Sequence, residues 1–260
     1  MSAHERARAQ LLKAFGVLLS GLALAGPAAA VPFAWDPGAV GLNGASAFGG
    51  DALKATEVSR IHFTSPSTWE EHGYAKITGI LSGGAGSVPN NLNTAGGYSL
   101  YFKFDGTGDF FSASFTTATM TLYGVNGAAN FGIDGNNNAY VDNGANTPVA
   151  LAVASLLNGT SGGAPGGDLF ADLWTSFAAT AAGAAMFQAP TLPAELYGHF
   201  FHPVSEAGGI TLITSGGNLT DVVLRGGDDT LSFVPEPASA LLLLAGGLPG
   251  VWLRRRRSAA

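Results

Sequence analysis

A mainly β fold is predicted: a single β-sandwich or jelly-roll-like domain with a few short helices, set between an N-terminal signal helix and a C-terminal hydrophobic helix. Three observations predict it. Apolar and polar residues alternate at period two through several short runs. Glycine-rich turn signals separate those runs, and glycine supplies 38 of the 260 residues. Charged residues are only 12% of the chain while 47% are hydrophobic, a balance that favours a packed core over disorder.

The strands follow in order. Val58–Thr64 and Tyr74–Leu81 come first. In Tyr98–Phe104, Tyr98, Leu100, Phe102 and Phe104 share one face, and Ser99, Tyr101 and Lys103 share the other, as in a half-buried strand. Thr117–Tyr123 repeats the pattern, with Ala118, Met120 and Leu122 against threonines and Tyr123. Ile210–Thr214, Asp221–Arg225 and Thr230–Val234 complete the set. Turn signals fall at Gly83–Gly86, Asn126-Gly127, Asn143-Gly144, Ser215–Asn218 and Gly226-Gly227. Val149–Leu157 and Ala178–Phe187 are alanine-rich and admit short helices. No internal repeat is visible.

Charge and cysteine content exclude several functions. Between residues 31 and 234 there are five Lys and Arg against sixteen Asp and Glu, a net charge of −11. Phosphate backbones repel such a body, so nucleic acid is excluded as a partner. With no cysteine, disulfide scaffolds, iron–sulfur clusters and thiolate zinc sites are excluded too.

The two ends are basic and apolar. Arg6, Arg8 and Lys13 precede or open an apolar run from Leu11 to Ala25, followed by Gly26, Pro27 and Ala28-Ala29-Ala30. This is the order of a secretory signal peptide, with small residues Ala28 and Ala30 marking cleavage before Val31. At the other end, Val234-Pro235-Glu236-Pro237 leads into an uncharged tract, Ala238 to Leu253, and then Arg254, Arg255, Arg256 and Arg257. As a helix the tract spans about 24 Å, slightly short of a ~30 Å hydrocarbon core. The arginines would hold its end on the cytoplasmic side. The prolines keep Glu236 in an extended, accessible stretch.

These three elements, in this order and position, resemble the PEP-CTERM sorting signal. The resemblance implies a secreted protein of a Gram-negative bacterium, anchored transiently in the inner membrane and processed near Pro235-Glu236-Pro237 by an exosortase, a membrane protease. It further implies association with exopolysaccharide and biofilm, at the cell surface or in the extracellular matrix. Residues 1–30 then read as signal peptide, 31–233 as an extracellular β-rich domain and 234–260 as the sorting signal. Four patches of the body, Gly97–Phe104, Leu122-Tyr123, Leu156–Gly159 and Phe200–Pro203, are similar in order to patches of the flocculation-associated PEP-CTERM proteins. The same patches also read as generic strands.

The candidate chemistry is thin. Asp134-Gly135-Asn136-Asn137-Asn138 opens like a calcium loop, with Asp142 at the ninth position, but Ala139 and Ala145 stand where Gly and Glu are required. An Asn/Gly turn is expected there. Gly226-Gly227-Asp228-Asp229-Thr230-Leu231 resembles one unit of a calcium-binding β-roll, which needs stacked copies. Gly159-Thr160-Ser161-Gly162-Gly163 matches a hydrolase pattern, with Asp168 or Asp172 and His199 or His202 downstream. It lacks the helix that a nucleophile elbow requires, so a glycine loop is expected. His199 and His202, three apart, point to opposite faces of a strand, and so do the adjacent Glu70 and Glu71. The sequence therefore assigns no catalytic residue, metal ligand or cofactor. It predicts a non-enzymatic surface or matrix protein. A secreted carbohydrate-binding adhesive module is the alternative, and a secreted hydrolase comes third.

Overall fold

The computed structural model describes residues 30–109, 112–163, 168–203 and 209–234. Of the predicted terminal segments, only Ala30 and Val234 fall among them, so both terminal helices lie outside the described residues. No helix among the described residues is long and apolar enough to cross a membrane.

Fifteen strands appear in chain order. They are β1 (Phe33–Trp35), β2 (Phe48–Gly50), β3 (Ala52–Phe63), β4 (Thr68–Ser82), β5 (Ala85–Ser87), β6 (Tyr98–Asp109), β7 (Ser114–Asn126) and β8 (Asn130–Ile133). Then follow β9 (Ala139–Asp142), β10 (Val149–Gly163), β11 (Leu169–Ala179), β12 (Phe187–Ala189), β13 (Ala194–His202), β14 (Ile210–Ser215) and β15 (Asn218–Val234). Among the described residues the only helix is a single 3-10 turn, Pro37–Val40.

The mainly β class holds, but the architecture is a closed barrel and not a sandwich. Eight antiparallel strands run β3-β4-β6-β7-β10-β11-β13-β15, and β15 pairs back onto β3 to close the ring. Each strand's neighbour is the next long strand in the chain, so the ring is an up-and-down meander; β14 and β5 are added to it as edge strands on β15 and β4. Alternation alone did not distinguish the two, because a strand buries one face in either architecture.

Both predicted helical stretches are also corrected. Val149–Leu157 lies in β10, bonded to β7 on one side and β11 on the other. Ala152 and Ala154 face inward and are buried, while Val153 between them is 45% exposed. Two ladders outweigh the weak helical preference of alanine. Ala178–Phe187 splits into the end of β11, turns, and the start of β12. There Thr180 Oγ1 donates to Ala150 O at 2.7 Å. The Gly226-Gly227 turn signal proves to be a bulge inside β15, which joins two predicted strands into one. The period-two pattern puts Tyr101 on the half-exposed face of its strand with Ser99 and Lys103, yet it is buried. The β8–β9 hairpin folds over that part of the outer wall, and Phe131 packs edge-on against Tyr101 at 5.3 Å.

The barrel has two unlike ends. At one end β1, β2 and β12 form a small sheet. Its Trp35, fully buried, packs among Phe33, Phe48, Phe187 and the barrel residues Phe177 and Phe233. This plug fills the end where β3 begins and β15 finishes. Both limits of the body meet there, since Val31 N donates to Phe233 O at 2.8 Å. The opposite end, where β3 finishes and β4 begins, is hollow.

Candidate functional site

Inward positions of the barrel strands change character along the axis. Toward the plug they are Leu53, Ile77, Leu100 and Leu122, all buried. Toward the hollow end the same strands place Ile61, Trp69, Phe104, Phe115 and Met120, with Phe200 from β13, around a cavity of about 870 Å³. Sites for small organic molecules commonly measure roughly 300–1,000 Å³ with mainly apolar walls. The walls can stand apart there partly because small residues sit beside large ones. A Cβ on Gly73 would lie 2.5 Å from both the Phe104 ring and Ser59, so that position accepts no side chain without displacing the cavity wall.

Besides Asp105 and Ser161, which also line the cavity, the inner wall carries a dense polar patch. β3 supplies Glu57 and Ser59, β4 supplies Glu71, β13 supplies His202 and β15 supplies Asp229. These four strands are neighbours in the barrel, so the side chains converge. Ser59 Oγ lies 3.0 Å from Glu57 Oε1 and 2.8 Å from Glu71 Oε1, bridging the two acids. His202 Nε2 is 3.5 Å from Glu57 Oε1, with both residues 3% exposed. Ligand atoms of Glu57, His202 and Asp229 all lie within 4.8 Å of one another, close enough to surround one cation.

Burial decides the electrostatics of this patch. It disfavours the charged form of each acid. Burial, then the nearby Asp229 and Glu71, push the Glu57 carboxyl well above the usual range, with Ser59 opposing weakly. Burial also raises Glu71 to about 7, against the opposing effects of Ser59 and His72. The body's basic side chains are all engaged elsewhere. Lys54 pairs with Asp228 at 3.2 Å, Arg60 with Asp221 at 2.7 Å, and Lys103 lies 3.7 Å from Asp105. Lys76 sits over the Phe131 ring and Arg225 donates to Thr211. None of the five lines the cavity.

The bulge in β15 is what delivers Asp229. Gly226 pairs with Glu57 and Asp229 with Ala55, so β15 uses one residue more than β3 over this stretch. The extra residue reverses the inside–outside parity. Asp229, Leu231 and Phe233 then face inward, while Asp228 is turned out to Lys54. Gly226 and Gly227 adopt φ of +88° and +101°, which side chains rarely tolerate. A Cβ on Gly227 would also lie 2.8 Å from His202 Nε2.

The motifs singled out in the sequence are dispersed differently. Ser161 does not sit in a glycine loop; it is part of β10, pairs with Ala171 and lines the cavity. Asp172 and His199 face outward, with His199 Nδ1 2.8 Å from Asp172 Oδ1. The wall therefore separates Ser161 from that Asp–His pair, and the hydrolase constellation is not assembled. His202 joins the cavity patch, whereas His199 lies outside beside Phe201, the two rings nearly parallel. Glu71 lines the cavity, and Glu70 lies outside near Arg60, His62 and His72. In the calcium-like loop, Asp134 Oδ1 accepts from the backbone N–H groups of Asn136 and Asn138, and Asn138 Oδ1 accepts from Arg60. Those bonds, Asn138 first, hold the Asp134 carboxyl below its usual range. This is the geometry of an Asx turn. Of the sorting and cleavage residues, Val234 ends β15 and Ala30 precedes Val31; Ala28, Pro235, Glu236, Pro237 and Arg254–Arg257 lie outside the described residues.

Sequence reasoning missed the patch for identifiable reasons. Glu57 stands one residue before the predicted strand Val58–Thr64. Asp229 falls between the Gly226-Gly227 turn signal and the predicted strand Thr230–Val234, in the segment that resembles a β-roll unit. The sequence sets His202 beside Ser161 and His199, and nothing in its spacing links it to Glu57 or Asp229. Compared with protein-family models, with curated proteins and with solved structures, the chain matches none.

Proposed function

We propose that the chain is an exported, non-enzymatic surface or matrix protein whose barrel is a binding module for a small, largely apolar molecule. The observation that carries the binding role is the 870 Å³ apolar-walled cavity open at one end of the barrel. Export, exosortase processing near Pro235-Glu236-Pro237 and association with exopolysaccharide rest on the terminal sequence elements. The geometry suits them in one respect. Val31 and Phe233 meet at the plugged end, so a chain tethered through its C-terminal tract would present the cavity mouth away from the tether.

The test uses the 31–234 body and pyrene, a neutral probe with no head group. Saturable binding that Ala171→Trp weakens by about tenfold or more, with an unchanged β spectrum, is the expected result. Ala171 lines the cavity, so an indole there would fill it. Absence of saturable binding by a folded body would remove the proposal. The intact mass of the extracellular form reports both terminal cleavages at once.

A second reading has its own observation. On the outer wall Trp174 and Tyr197 pack with ring centroids 4.7 Å apart, beside the Asp172–His199 pair. Aromatic faces flanked by hydrogen-bonding groups suit sugar rings, which supports a carbohydrate-binding adhesive role. Retention of the body on exopolysaccharide, lost in Trp174→Ala but not in Ala171→Trp, would favour it.

A further inference from the structure

We infer that the cavity takes an amphiphile with a cationic nitrogen head, an alkyl- or arylalkylammonium, whose head sits among Glu57, Glu71 and Asp229 and whose tail runs along the barrel wall toward the mouth. The inference rests on the reading of the cavity as an apolar binding site and names the ligand class.

Charge complementarity is the first argument. Glu57, Glu71 and His202 line the cavity, Asp229 stands with its carboxyl within 4.8 Å of Glu57 and His202, and none of the body's five lysines and arginines lines the cavity. A buried carboxylate is costly unless a proton or a cation neutralises it. An ammonium head brings both the charge and several N–H donors to a set of acceptors. Shape is the second argument. The acids come from three adjacent strands, β4, β3 and β15, and therefore form a patch on one side, while Phe104, Phe115, Met120 and Phe200 supply apolar wall for a tail. A bare metal ion held by Glu57, His202 and Asp229 would leave that volume unused. A fatty carboxylate would set like charge against like. Third, the patch is built at some conformational expense. A two-glycine bulge at positive φ reverses strand parity and thereby turns Asp229, not Asp228, into the barrel. Bulges recur where a strand re-aims a functional side chain. The raised carboxyl of Glu57 agrees with this reading, since a bound cation would favour its ionised form.

The experiment is a calorimetric titration of the full-length chain in phosphatidylcholine nanodiscs, with empty nanodiscs as the blank. Octylammonium, octanol and octanoate share one tail and differ in the head. Octylammonium should bind about tenfold or more tightly than octanol, with octanoate weakest. Glu57→Gln and Asp229→Asn should each reduce octylammonium to the affinity of octanol and leave octanol unchanged. Glu71→Gln carries the comparison if either variant loses its single melting transition. Equal affinities for the three heads would overturn the inference while the cavity reading stands. Failure of all three to bind a folded chain would overturn both. Tight binding of zinc ion alone, abolished by the same variants and without any preference for octylammonium, would make this a metal site and overturn the ammonium assignment.

Discussion

The plugged end and the hollow end of this barrel are made by the same eight strands, yet they are filled in opposite ways. At the plugged end, inward positions meet a separate layer of aromatic residues brought by β1, β2 and β12, and Trp35 is fully buried. At the hollow end no such layer is present among the described residues, and the inward positions enclose a cavity with carboxyl groups on one wall. The contrast teaches that stability and recognition are placed at different heights on one scaffold. Buried aromatic packing holds the barrel closed where the body's two limits meet. The hollow end gives up that packing and carries buried acids besides, a combination expected at functional sites.

The comparison breaks most sharply at Trp35. Trp35→Ala should destabilise the body by about 3–5 kcal/mol, the range for a large aromatic truncated in a core, read as a lower melting temperature. Trp35→Phe should cost much less, because the buried indole N–H has no hydrogen-bond partner among the described residues. At temperatures where the variants remain folded, pyrene binding at the other end should be unchanged. Lost binding in a folded Trp35 variant would show that the two ends are coupled.

Gly227→Val is the next largest effect, and it joins the two ends through β15. A branched side chain at φ +101° is strained, and its Cβ would press on His202. Strain of this kind costs about 1–3 kcal/mol. It should also misplace Asp229, so the preference for an ammonium head should fall with stability. A variant with full stability and full preference would mean that the bulge does not position the acid.

The hollow end should make the body less stable as pH rises. The folded-state values of Glu57 and Glu71 lie above the ordinary 4.5, Glu71 at about 7. The folded state therefore holds more protons than the unfolded state between those values, and stability declines over that window. The melting temperature should fall from pH 5 to pH 8, and Glu71→Gln should flatten the slope and raise the value at pH 8. The outer wall works in the opposite sense. Burial alone would raise Asp221, but hydrogen bonds from His62 and Arg60 outweigh it and hold the carboxyl below its ordinary 3.8. That stabilisation is lost only in strong acid, so it does not obscure the slope. A melting temperature that rises between pH 5 and pH 8 would contradict the burial of the two glutamates.

The smallest effect is expected at Ser161. Ser161→Ala should change stability by within about 0.5 kcal/mol and leave cell aggregation or matrix retention intact, because the Asp172–His199 pair lies across the wall from it. Aggregation lost with folding and targeting intact would revive a hydrolase.

Much of the wall was legible in the chain. The faces of Tyr98–Phe104 and Thr117–Tyr123 followed from period two, and Phe102, Met120 and Leu122 are buried facing in. Gly216-Gly217 was legible as a tight turn, and both residues take positive φ between β14 and β15. The same local logic failed for Val149–Leu157, where the pull of two neighbouring strands is invisible to composition. It failed at Gly226-Gly227, where a turn and a bulge draw on the same backbone freedom. The cavity patch was not legible at all, because Glu57, Glu71, His202 and Asp229 are brought together by the ring and not by spacing along the chain.

The sequence by itself determined the mainly β class, the inward faces of the best-patterned strands and several of the turns, because these depend on alternation and on residues able to take positive φ. It also carries the terminal elements on which the export proposal rests. Only the tertiary structure decided that the sheet closes into a barrel, that one end is plugged by Trp35 and its neighbours, and that Asp229 faces in while Asp228 faces out. Closure depends on pairing β15 with β3, more than 150 residues apart in the chain. The direction of Asp229 depends on one extra residue in that pairing. Neither quantity is local, and a local pattern does not encode it.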